Sequence, residues 1–489
     1  MRALEAAAFA SGISEAELQH QAATAVAEEV ATLLAPGERV AVLVGHGNNG
    51  RDGMLAGTWL AEHGCPVDVV LSARHSVSDT EQARLHELGA RVLDADRASE
   101  ALNSAQLAID ALAGIGTRGA LREPLASLVR QLNEARLRVV SVDVPSGIDA
   151  DTGDVPGEVV NADVTVTLGA VKQGLLRFPA AERVGRLIWR SISVPEPDLP
   201  YEVLDETSLA DAVPRRPLSA HKYRFGRVLL VAGSDRFPGA PVLCAGGAAR
   251  AGAGLVTLAS TAAARQTVAG HLPEVTYAQA ELEPEQLRPY VGSHAAVVIG
   301  PGLGREASTV RFFHELLRMR REVAPADQGL VVDADGLYAL AEEAEWWTLL
   351  GPNAVVTPHG GELARLTGGE RGADTEWAHA AQLASRWGCC LVAKGPFTCV
   401  ARPDGRVVVW PRANPALATG GTGDVLAGIL GGLLAQGASM WDASRVAVAA
   451  HAVAAQRILA LRHWRTLLAS DLLLELPAAL ATLAATRRR

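Results

Sequence analysis

Lysine is scarce in this chain. Of 45 basic residues only three are lysine, namely Lys172, Lys222 and Lys394. A composition rich in arginine and alanine is typical of a GC-rich coding sequence, in which a generic surface lysine is readily replaced by arginine. The three lysines are therefore candidates for sites that need a compact ammonium group rather than a planar guanidinium. Survival by chance is the alternative for each of them.

Other absences exclude whole classes of protein. The five cysteines form no C-x-x-C pair, so we expect neither a disulfide framework nor a zinc site, and we expect a reducing, cytoplasmic location. No apolar run approaches about 20 residues, so we expect no transmembrane helix. The net charge of −9 argues against a basic nucleic-acid-binding face.

Apolar residues make up 49% of the 489 positions, enough for more than one core. Strand-like segments such as "RVAVLVGHG" and "LRVVSVDVPSGID" alternate with helical ones, and after a break the pattern resumes at "GRVLLVAGS". This alternation predicts parallel β-α-β units. We therefore expect two doubly wound α/β domains, 1–200 and 215–489, joined by a Pro- and acid-rich linker at 201–214.

Three loops of the first half follow predicted strands, at 45–53, 110–120 and 143–149. Ligands of such sheets bind beyond the carboxyl ends of the strands. The first loop, "GHGNNGRDG", is not the G-x-G-x-x-G fingerprint, so nucleotide binding is left open. The oxygens of Asn49, Asp110 and Ser146 suit a weakly hydrated monovalent cation. The alternative is that these are turn and cap residues.

In the second half, "NPALATGGTGDVLAGILGG" places three glycines just before Asp424 and an apolar helix after it. The amides and dipole at such a helix start favour an anion. Asp424 is therefore either a helix cap or a base that takes a proton from a group attacking a phosphate. Lys394 ends the apolar strand "CCLVA", where an ammonium would meet that phosphate. A solvated strand-end lysine is the alternative.

Further polar residues follow the ends of predicted strands in this half. His359 lies in the loop "TPHGGE". It is either a binding residue or a loop histidine whose hydrogen bonds are all made within the protein. Glu362 either organises Mg²⁺ through water or caps the following helix. Asp333 and Asp335 in "VVDADGL" end a strand, and either is also compatible with a turn.

The first 200 residues resemble the NAD(P)HX epimerase domain, also called the YjeF N-terminal domain, which is Rossmann-like. The resemblance is carried by "GHGNNGRDG", "DALAGIGTRGALREP", "SVDVPSGIDADTG" and "GAVKQGLL". It implies potassium ligands at Asn49, Asp110 and Ser146, and acid–base candidates at Asp143 and Lys172. It implies contacts with the hydrated nucleotide at Asn48, Asn49, Gly50, Arg51, Asp52, Gly114, Ile115, Gly116, Thr117, Arg118, Gly119, Ala120 and Asp143.

The chain departs from this family at two places. Arg51 stands where the family usually has glycine. The early helix reads "LQHQAA", at 18–23, where the family usually reads like Met-Glu-x-Ala-Gly.

Residues 215–489 resemble the NAD(P)HX dehydratase of the ribokinase-like superfamily. The ordered motifs include "VVIGPGLG", "VVDADGL", "TPHGGELARLTG", "VAKGPFTCV" and "NPALATGGTGDVLAG". The resemblance makes Asp424 the base for the attacking hydroxyl. It implies contacts with the hydrated nucleotide at Ala240, Gly302, Gly304, His359 and Asp424. It implies contacts with the adenine nucleotide at Lys394, Gly395, Pro396, Phe397, Thr398 and Gly423.

Together these features predict a bifunctional repair enzyme for hydrated NADH and NADPH. One domain would interconvert the R and S epimers. The other would dehydrate the S epimer with ADP and Mg²⁺, giving AMP and phosphate. The expected partners are small molecules, with no nucleic acid and no membrane, and a homo-oligomer is left open. The alternatives are a vitamin or sugar kinase of the same fold, and an N-terminal half that only binds a ligand or partner.

Overall fold

The computed structural model describes residues 1–73, 79–195, 199, 201–219, 222–280, 282–369, 376–460 and 466–485. The chain divides into two compact units, Met1–Asp198 and Leu199–Arg489. No helix in the described parts of the chain is long and apolar enough to cross a membrane.

The first unit is a seven-stranded sheet with helices on both faces. All neighbouring strands are parallel, in the order β3-β2-β1-β4-β5-β6-β7. The strands are β1 (Val40–Val44), β2 (Val67–Leu71), β3 (Arg91–Asp94), β4 (Leu107–Ala111), β5 (Arg138–Val142), β6 (Val164–Leu168) and β7 (Arg186–Arg190). The helices are α1 (Arg2–Ala10), α2 (Glu15–Leu33), α3 (Asn48–Glu62), α4 (Asp79–Glu87), α5 (Ala98–Ser104) and α6 (Leu125–Glu134).

Strand β1 is apolar at every position because it is covered on both sides. Val42 and its alternate neighbours pack with α2 and α3, whereas Leu43 packs in a second core with α5 and α6. The strand order reverses between β1 and β4, which is where ligands of doubly wound sheets bind. Gly45 makes this junction possible, because a Cβ at that position would collide with the carbonyl group of Leu112.

The second unit is a ten-stranded sheet, again with helices. The strands are β8 (Tyr201–Val203), β9 (Arg227–Val231), β10 (Leu255–Ala259), β11 (Thr276–Tyr277), β12 (Ala296–Ile299), β13 (Gly329–Val332), β14 (Ala354–Val356), β15 (Cys390–Ala393), β16 (Cys399–Ala401) and β17 (Val407–Val409). The helices are α7 (Ala240–Arg250), α8 (Ala262–His271), α9 (Pro284–Val291), α10 (Ala307–Val323), α11 (Asp335–Ala341), α12 (Gly360–Leu366), α13 (Glu376–Trp387), α14 (Thr422–Ala435), α15 (Met440–Leu459) and α16 (Ala469–Ala485).

The strand order of this sheet is β11-β10-β9-β12-β13-β14-β15-β16-β17-β8, with antiparallel pairing only on the two sides of β16. The order reverses between β9 and β12, so the loops that follow them open at one edge. Helix α14 is buried along nearly its whole length. A Cβ on Gly428 would collide with the carbonyl oxygen of Cys244, so this glycine lets α14 and α7 pack closely and fixes the position of the α14 N-terminus.

The segment expected to be a linker is partly structured. Residues 201–203 form β8 at the edge of the second sheet, paired with β17. Leu204 and Leu209 are buried in the core of that unit. The strand is not visible in the sequence, because three residues are too few to show the alternation typical of a strand. It forms because it pairs with β17. The domain bounds 1–200 and 215–489 stay a prediction.

Candidate active sites

Asp110 is the centre of a buried hydrogen-bond network in the first unit. Its carboxylate accepts from Ser141 Oγ at 2.8 Å, from Ser146 Oγ at 2.6 Å and from the Ser146 amide at 2.9 Å. The Leu112 amide donates to it at 3.3 Å. Burial raises the pKa of Asp110, and these hydrogen bonds oppose the rise. Asp110 and Ser146, predicted to meet at one sheet edge, do so directly.

Asn49 reaches the same edge from the first turn of α3 rather than from a strand end. A Cβ on Gly114 would lie 3.0 Å from Asn49 Cβ, so the side chain rests against the glycine loop. Ser146 Oγ accepts from the amide of Ala113, the neighbour of Gly114, at 2.8 Å. Asn49 Nδ2 is buried and has no hydrogen-bond partner among the described residues. The three predicted cation ligands therefore border one loop.

Buried Lys172 forms an ion pair with half-buried Asp143, through Nζ and Oδ1. Lys172 Nζ also donates to the Leu168 carbonyl at 2.8 Å, and the Leu168 amide donates to Asp143 at 3.0 Å. Asp143 has a φ of 65°, a conformation unusual outside glycine. This strain is typical of functional positions. The acid–base role of the pair stays a prediction.

Asp52 is a second buried carboxyl group of this unit. The pKa of Asp52 is raised to about 8. Burial is the largest cause, the charges of Asp143 and Glu5 add to it, and the charge of Arg51 opposes it. Asp52 Oδ1 has no hydrogen-bond partner among the described residues. The raised pKa favours the protonated form of Asp52 near neutral pH.

Arg51 points away from the buried network. Its guanidinium lies 3.8 Å from Glu81 and is largely exposed. The hydrogen-bond partners of Asp110 are Ser141, Ser146 and Leu112. The expected contact of Arg51 with the substrate stays a prediction.

A cavity of about 330 Å³ lies beside the Asp143–Lys172 pair. Ile115 and Arg118 of the glycine loop line it with Lys172. Arg118 pairs with Asp151 and lies 3.4 Å from Asp149. The remaining lining residues are Met1, Arg2, Ala3, Ala150 and Asp151.

In the second unit, Lys394 lies among carboxylates at the edge of the sheet. Its Nζ is 2.8 Å from Asp333 Oδ1 and 3.8 Å from Glu362 Oε2. A Cβ on Gly423 would lie 3.2 Å from the same Nζ. Burial lowers the pKa of Lys394, but Asp333 and Glu362 outweigh it and the pKa is raised. The ammonium is therefore charged and faces the first turn of α14.

Asp424 stands in that first turn, but it is not the cap. The N-cap is Gly421, with a φ of 90°, and no side chain caps the helix. Among the described residues no group donates a hydrogen bond to the Asp424 carboxylate. The pKa of Asp424 is raised to about 7. Burial is the largest cause and the charge of Asp333 adds to it, whereas the charge of Lys394 lowers the pKa. The cap interpretation is wrong, and the carboxyl can gain or lose a proton near neutral pH.

His359 and Glu362 form a capping box at the start of α12. His359 Nδ1 accepts from the Gly361 amide at 3.0 Å, and Glu362 Oε2 accepts from the His359 amide at 2.9 Å. His359 Nε2 lies 3.5 Å from Glu362 Oε1, and the ring is largely exposed. The Lys394 amide donates to the Pro358 carbonyl at 2.8 Å. The cap interpretation of Glu362 is confirmed, while its carboxylate still faces Lys394.

The loop after β12 closes another side of the site. Gly302 has a φ of 66°, and a Cβ there would lie 2.7 Å from Ala240 Cβ at the start of α7. The Gly304 amide donates to Asp335 Oδ2 at 2.9 Å, and Arg305 Nε donates to Oδ1 at 2.8 Å. Asp335 therefore holds this loop in place.

The turn after β15 is closed by its own side chain. Thr398 Oγ1 donates to the Gly395 carbonyl at 3.1 Å. Pro396 and Gly395 are exposed, and Phe397 and Thr398 are half-buried. This turn follows Lys394, which itself faces Gly423. The adenine nucleotide contacts expected at these residues stay a prediction.

Comparisons with known proteins agree with two fused domains. The family described as NAD(P)H-hydrate dehydratase matches residues 228–478, and the family described as YjeF-related protein N-terminus matches residues 15–174. The bifunctional NAD(P)H-hydrate repair enzyme Nnr of Salinibacter ruber is 38% identical over 90% of this chain and 87% of its own. The chain belongs to the family of bifunctional NAD(P)H-hydrate repair enzymes.

Two further comparisons fit this family. The Nnr enzyme of Coxiella burnetii is 34% identical, with 96% of each chain covered. A ribokinase-like superfamily protein from Enterococcus faecalis has a TM-score of 0.52 at 24% identity, covering 59% of this chain and 99% of its own, and shows the fold alone. The predicted family, the two α/β folds and the enzymatic nature of the chain are confirmed.

Sequence reasoning missed some residues of these sites. Buried His451 lies with Nε2 2.9 Å from the Thr422 carbonyl in the first turn of α14, and burial lowers its pKa to about 4. Asn414 caps a short turn through Ala416, while its Nδ2 is buried without a partner among the described residues. Cys244 is fully buried, and its carbonyl oxygen packs against Gly428 of α14. The side chain of Lys222 lies outside the described residues.

Proposed function

We propose that the second unit dehydrates the S epimer of hydrated NADH or NADPH at the expense of ADP, and that the first unit interconverts the two epimers. The observation that carries the proposal is Asp424 in the first turn of α14, close to the ammonium of Lys394. A base of suitable pKa and a cation meet there at a helix N-terminus, which is the arrangement that phosphoryl transfer to a hydroxyl group needs.

The adenine nucleotide would lie on Lys394, the turn at 395–398 and Gly423. The hydrated ring would lie against Ala240, Gly302, Gly304 and His359. Asp424 would take the proton of its hydroxyl group while that oxygen attacks the terminal phosphorus of ADP. An O–P bond forms and the bond to AMP breaks. The amides at the start of α14 and the charge of Lys394 would stabilise the transferring phosphoryl group.

The phosphate ester then collapses. The ring carbon next to the ester loses a proton, the C–O bond breaks and a C=C bond forms, so the reduced cofactor and phosphate are released. Phosphate is a far better leaving group than hydroxide, which gives the reason for using a nucleotide. Gly304 and Asp335 contribute by holding the loop that positions the ring.

Glu362 would hold Mg²⁺ through water, because Mg²⁺ usually keeps several waters and binds through one or two carboxylates and the substrate phosphates. The carboxylate of Glu362 suits this, because it faces Lys394 at the edge of the site. Bound Mg²⁺ would neutralise phosphate charge.

In the first unit the chemistry is the exchange of a hydroxyl group between two faces of a ring carbon bonded to nitrogen. Proton delivery to the hydroxyl lets it leave as water, with the nitrogen lone pair forming a C=N bond. Water then adds to the other face and loses a proton. Asp52, whose raised pKa favours its protonated form near neutral pH, and the Asp143–Lys172 pair would supply and remove these protons. Substrate contacts are proposed for Asn48, Gly50 and the loop 114–120.

Asn49, Asp110 and Ser146 would hold K⁺. Carboxylate, carboxamide and hydroxyl oxygens are the ligands that such a cation takes. Asn49 fits this use, because one end of its buried carboxamide has no hydrogen-bond partner among the described residues. Rotation of the carboxamide by about 180° puts its oxygen at that end, where it could bind the cation. The Ser146 hydroxyl can rotate to present a lone pair. Bound K⁺ would supply a fixed charge beside the glycine loop.

The fate of the phosphorus atom tests the dehydratase proposal. The full chain is incubated with hydrated NADH, ADP and Mg²⁺ and followed by ³¹P NMR. AMP and free phosphate in equal amounts are expected, with no lasting phosphate ester. A stable phosphorylated product would instead indicate a kinase of the same fold.

A further inference from the structure

The first helix of the chain borders the cavity of the first unit. Residues 1–3 line the same space as Ile115, Arg118 and Lys172. Helix α1 (Arg2–Ala10) nevertheless precedes the matched YjeF-related region, which begins at residue 15. Among the substrate contacts set out above, none lies on this helix.

Arg2 is the cationic side chain of this cavity that has no ion-pair partner among the described residues. Its Nη2 lies 3.8 Å from the position that a Cβ on Gly116 would occupy, so the guanidinium faces the glycine loop. Within the described ranges Arg2 forms no ion pair. The other two cationic side chains of the lining form ion pairs, Arg118 with Asp151 and Lys172 with Asp143.

We propose that Arg2 binds a phosphate group of the hydrated dinucleotide and that α1 is one wall of the substrate site. The inference rests on the proposed epimerase function. A guanidinium presents paired N–H donors that match phosphate oxygens. A Cβ on Gly116 would meet only Arg2 Nη2 within 4 Å, so a phosphate can approach both the backbone at Gly116 and Arg2.

The size of the cavity agrees with this assignment. At about 330 Å³ it is at the small end of the range of about 300–1,000 Å³ for ligand pockets. It therefore holds one part of a dinucleotide rather than the whole. The phosphate would lie towards Arg2, and the reacting ring would lie towards Lys172 and Asp143.

A second charged residue of α1 acts on the ionisable groups of this unit. Glu5, one turn after Arg2, is among the charges that raise the pKa of Asp52. The helix is anchored, since Ala8 is fully buried and the Met1 Cε atom lies 3.1 Å from the position of a Cβ on Gly169. The start of α1 is therefore held beside the cavity, with Arg2 facing Gly116.

The test compares substrates with and without phosphate. Epimer exchange is followed by NMR on the full chain without ADP, so that dehydration is silent. The variants are Arg2→Ala, Arg2→Lys and the exposed control Arg97→Ala. A hydrogen bond to a charged group contributes about 1.5–3 kcal/mol, so Arg2→Ala should raise KM for hydrated NADH about tenfold or more. For hydrated nicotinamide riboside, which has no phosphate, Arg2→Ala should change neither kcat nor KM. Arg2→Lys should raise KM for hydrated NADH less than Arg2→Ala does.

An equal change for both substrates, or no change for hydrated NADH, would overturn the proposal. A second measurement separates it from the epimerase proposal. Phenylglyoxal modifies arginine, and the modified positions are mapped by mass spectrometry. Hydrated NADH should protect Arg2 and not Arg97, even if the chain exchanges no epimers. Modification of Arg2 at the same rate with and without the dinucleotide would contradict a phosphate contact.

Discussion

Lys394 Nζ lies 2.8 Å from Asp333 Oδ1, and the two residues are 61 positions apart in the chain. This pair places a charged ammonium beside Gly423 and the first turn of α14. It also lies close to Asp424, whose pKa it lowers while Asp333 raises it. The chemistry of the second unit depends on this balance.

Asp424→Asn should abolish dehydration while adenine nucleotide binding remains. Loss of a positioned general base costs about 10²–10⁴-fold in rate, and turnover is measured by the return of reduced nicotinamide absorbance. Asp442→Asn is the matched control, since Asp442 also stands in the first turn of a helix, where it pairs with Arg445. Turnover of Asp424→Asn within a few-fold of wild type would remove Asp424 from the chemistry.

Lys394→Arg should weaken ADP binding in calorimetry. The space between Asp333 and Gly423 is filled by a compact ammonium, and a planar guanidinium does not fit there without displacing the turn. Arg402→Lys, at an exposed ion pair with Asp404, is a control that should leave the affinity unchanged. Equal ADP affinity for Lys394→Arg and wild type would show that the ammonium has no special role.

The dehydration rate should rise with pH through about 7. Asp424 acts as a base only when it is ionised, and its pKa is raised to about 7 by burial. Below that pH the carboxyl is protonated and the rate should fall about tenfold per pH unit. The check is kcat/KM at fixed ionic strength between pH 5.5 and pH 8.5. A profile that is flat below pH 7 would contradict the assignment of Asp424 as the base.

Asp52 should make stability depend on pH. Its pKa is about 8 in the folded chain and 3.8 as the reference value. In the window between these values the unfolded carboxyl is ionised, whereas the folded one must bind a proton, so its contribution to stability falls as pH rises to about 8. Asp52→Asn should therefore raise Tm more at pH 8 than at pH 5. The control is Asp96→Asn at an exposed position, for which the change in Tm should be the same at both pH values. The same change in Tm at pH 5 and pH 8 for Asp52→Asn would contradict a raised pKa for Asp52.

Epimerisation should depend on the monovalent cation if Asn49, Asp110 and Ser146 bind K⁺. Exchange between epimers is compared in potassium and in a large organic cation. Asp110→Asn should lower the rate in potassium and remove the difference between salts. Arg51→Gly should keep that difference, because Arg51 lies near Glu81 rather than among the partners of Asp110. Equal wild-type rates in both salts would exclude the cation site.

The sequence was sufficient to predict the features that follow from parallel strand order, namely the two folds and the residues that meet at a sheet edge. Strand alternation gave both α/β folds, and Asp110 and Ser146 meet because the loops after neighbouring parallel strands open at one edge. Asp424 was placed correctly at the glycine-rich start of α14. Whether it capped the helix was open, since that depends on side-chain direction, and Gly421 is in fact the N-cap.

Long-range partners were beyond sequence reasoning. Nothing in "VVDADGL" says that Asp333 pairs with Lys394, or that Asp335 instead holds Gly304. His451 lies in the middle of an apolar helix and reads as a core residue, yet it contacts the Thr422 carbonyl. Strand β8 was missed because three residues carry too little pattern. Such pairings are decided by tertiary packing.

The most direct test of two cooperating sites starts from separated R and S epimers, with ADP, Mg²⁺ and the full chain. Wild type should regain reduced nicotinamide absorbance from both epimers, and Lys172→Ala from the S epimer alone. Asp424→Asn should regain it from neither. Wild type and Lys172→Ala both consuming only the S epimer would contradict an epimerase in the first unit. Loss of substrate without any return of absorbance would contradict the dehydratase.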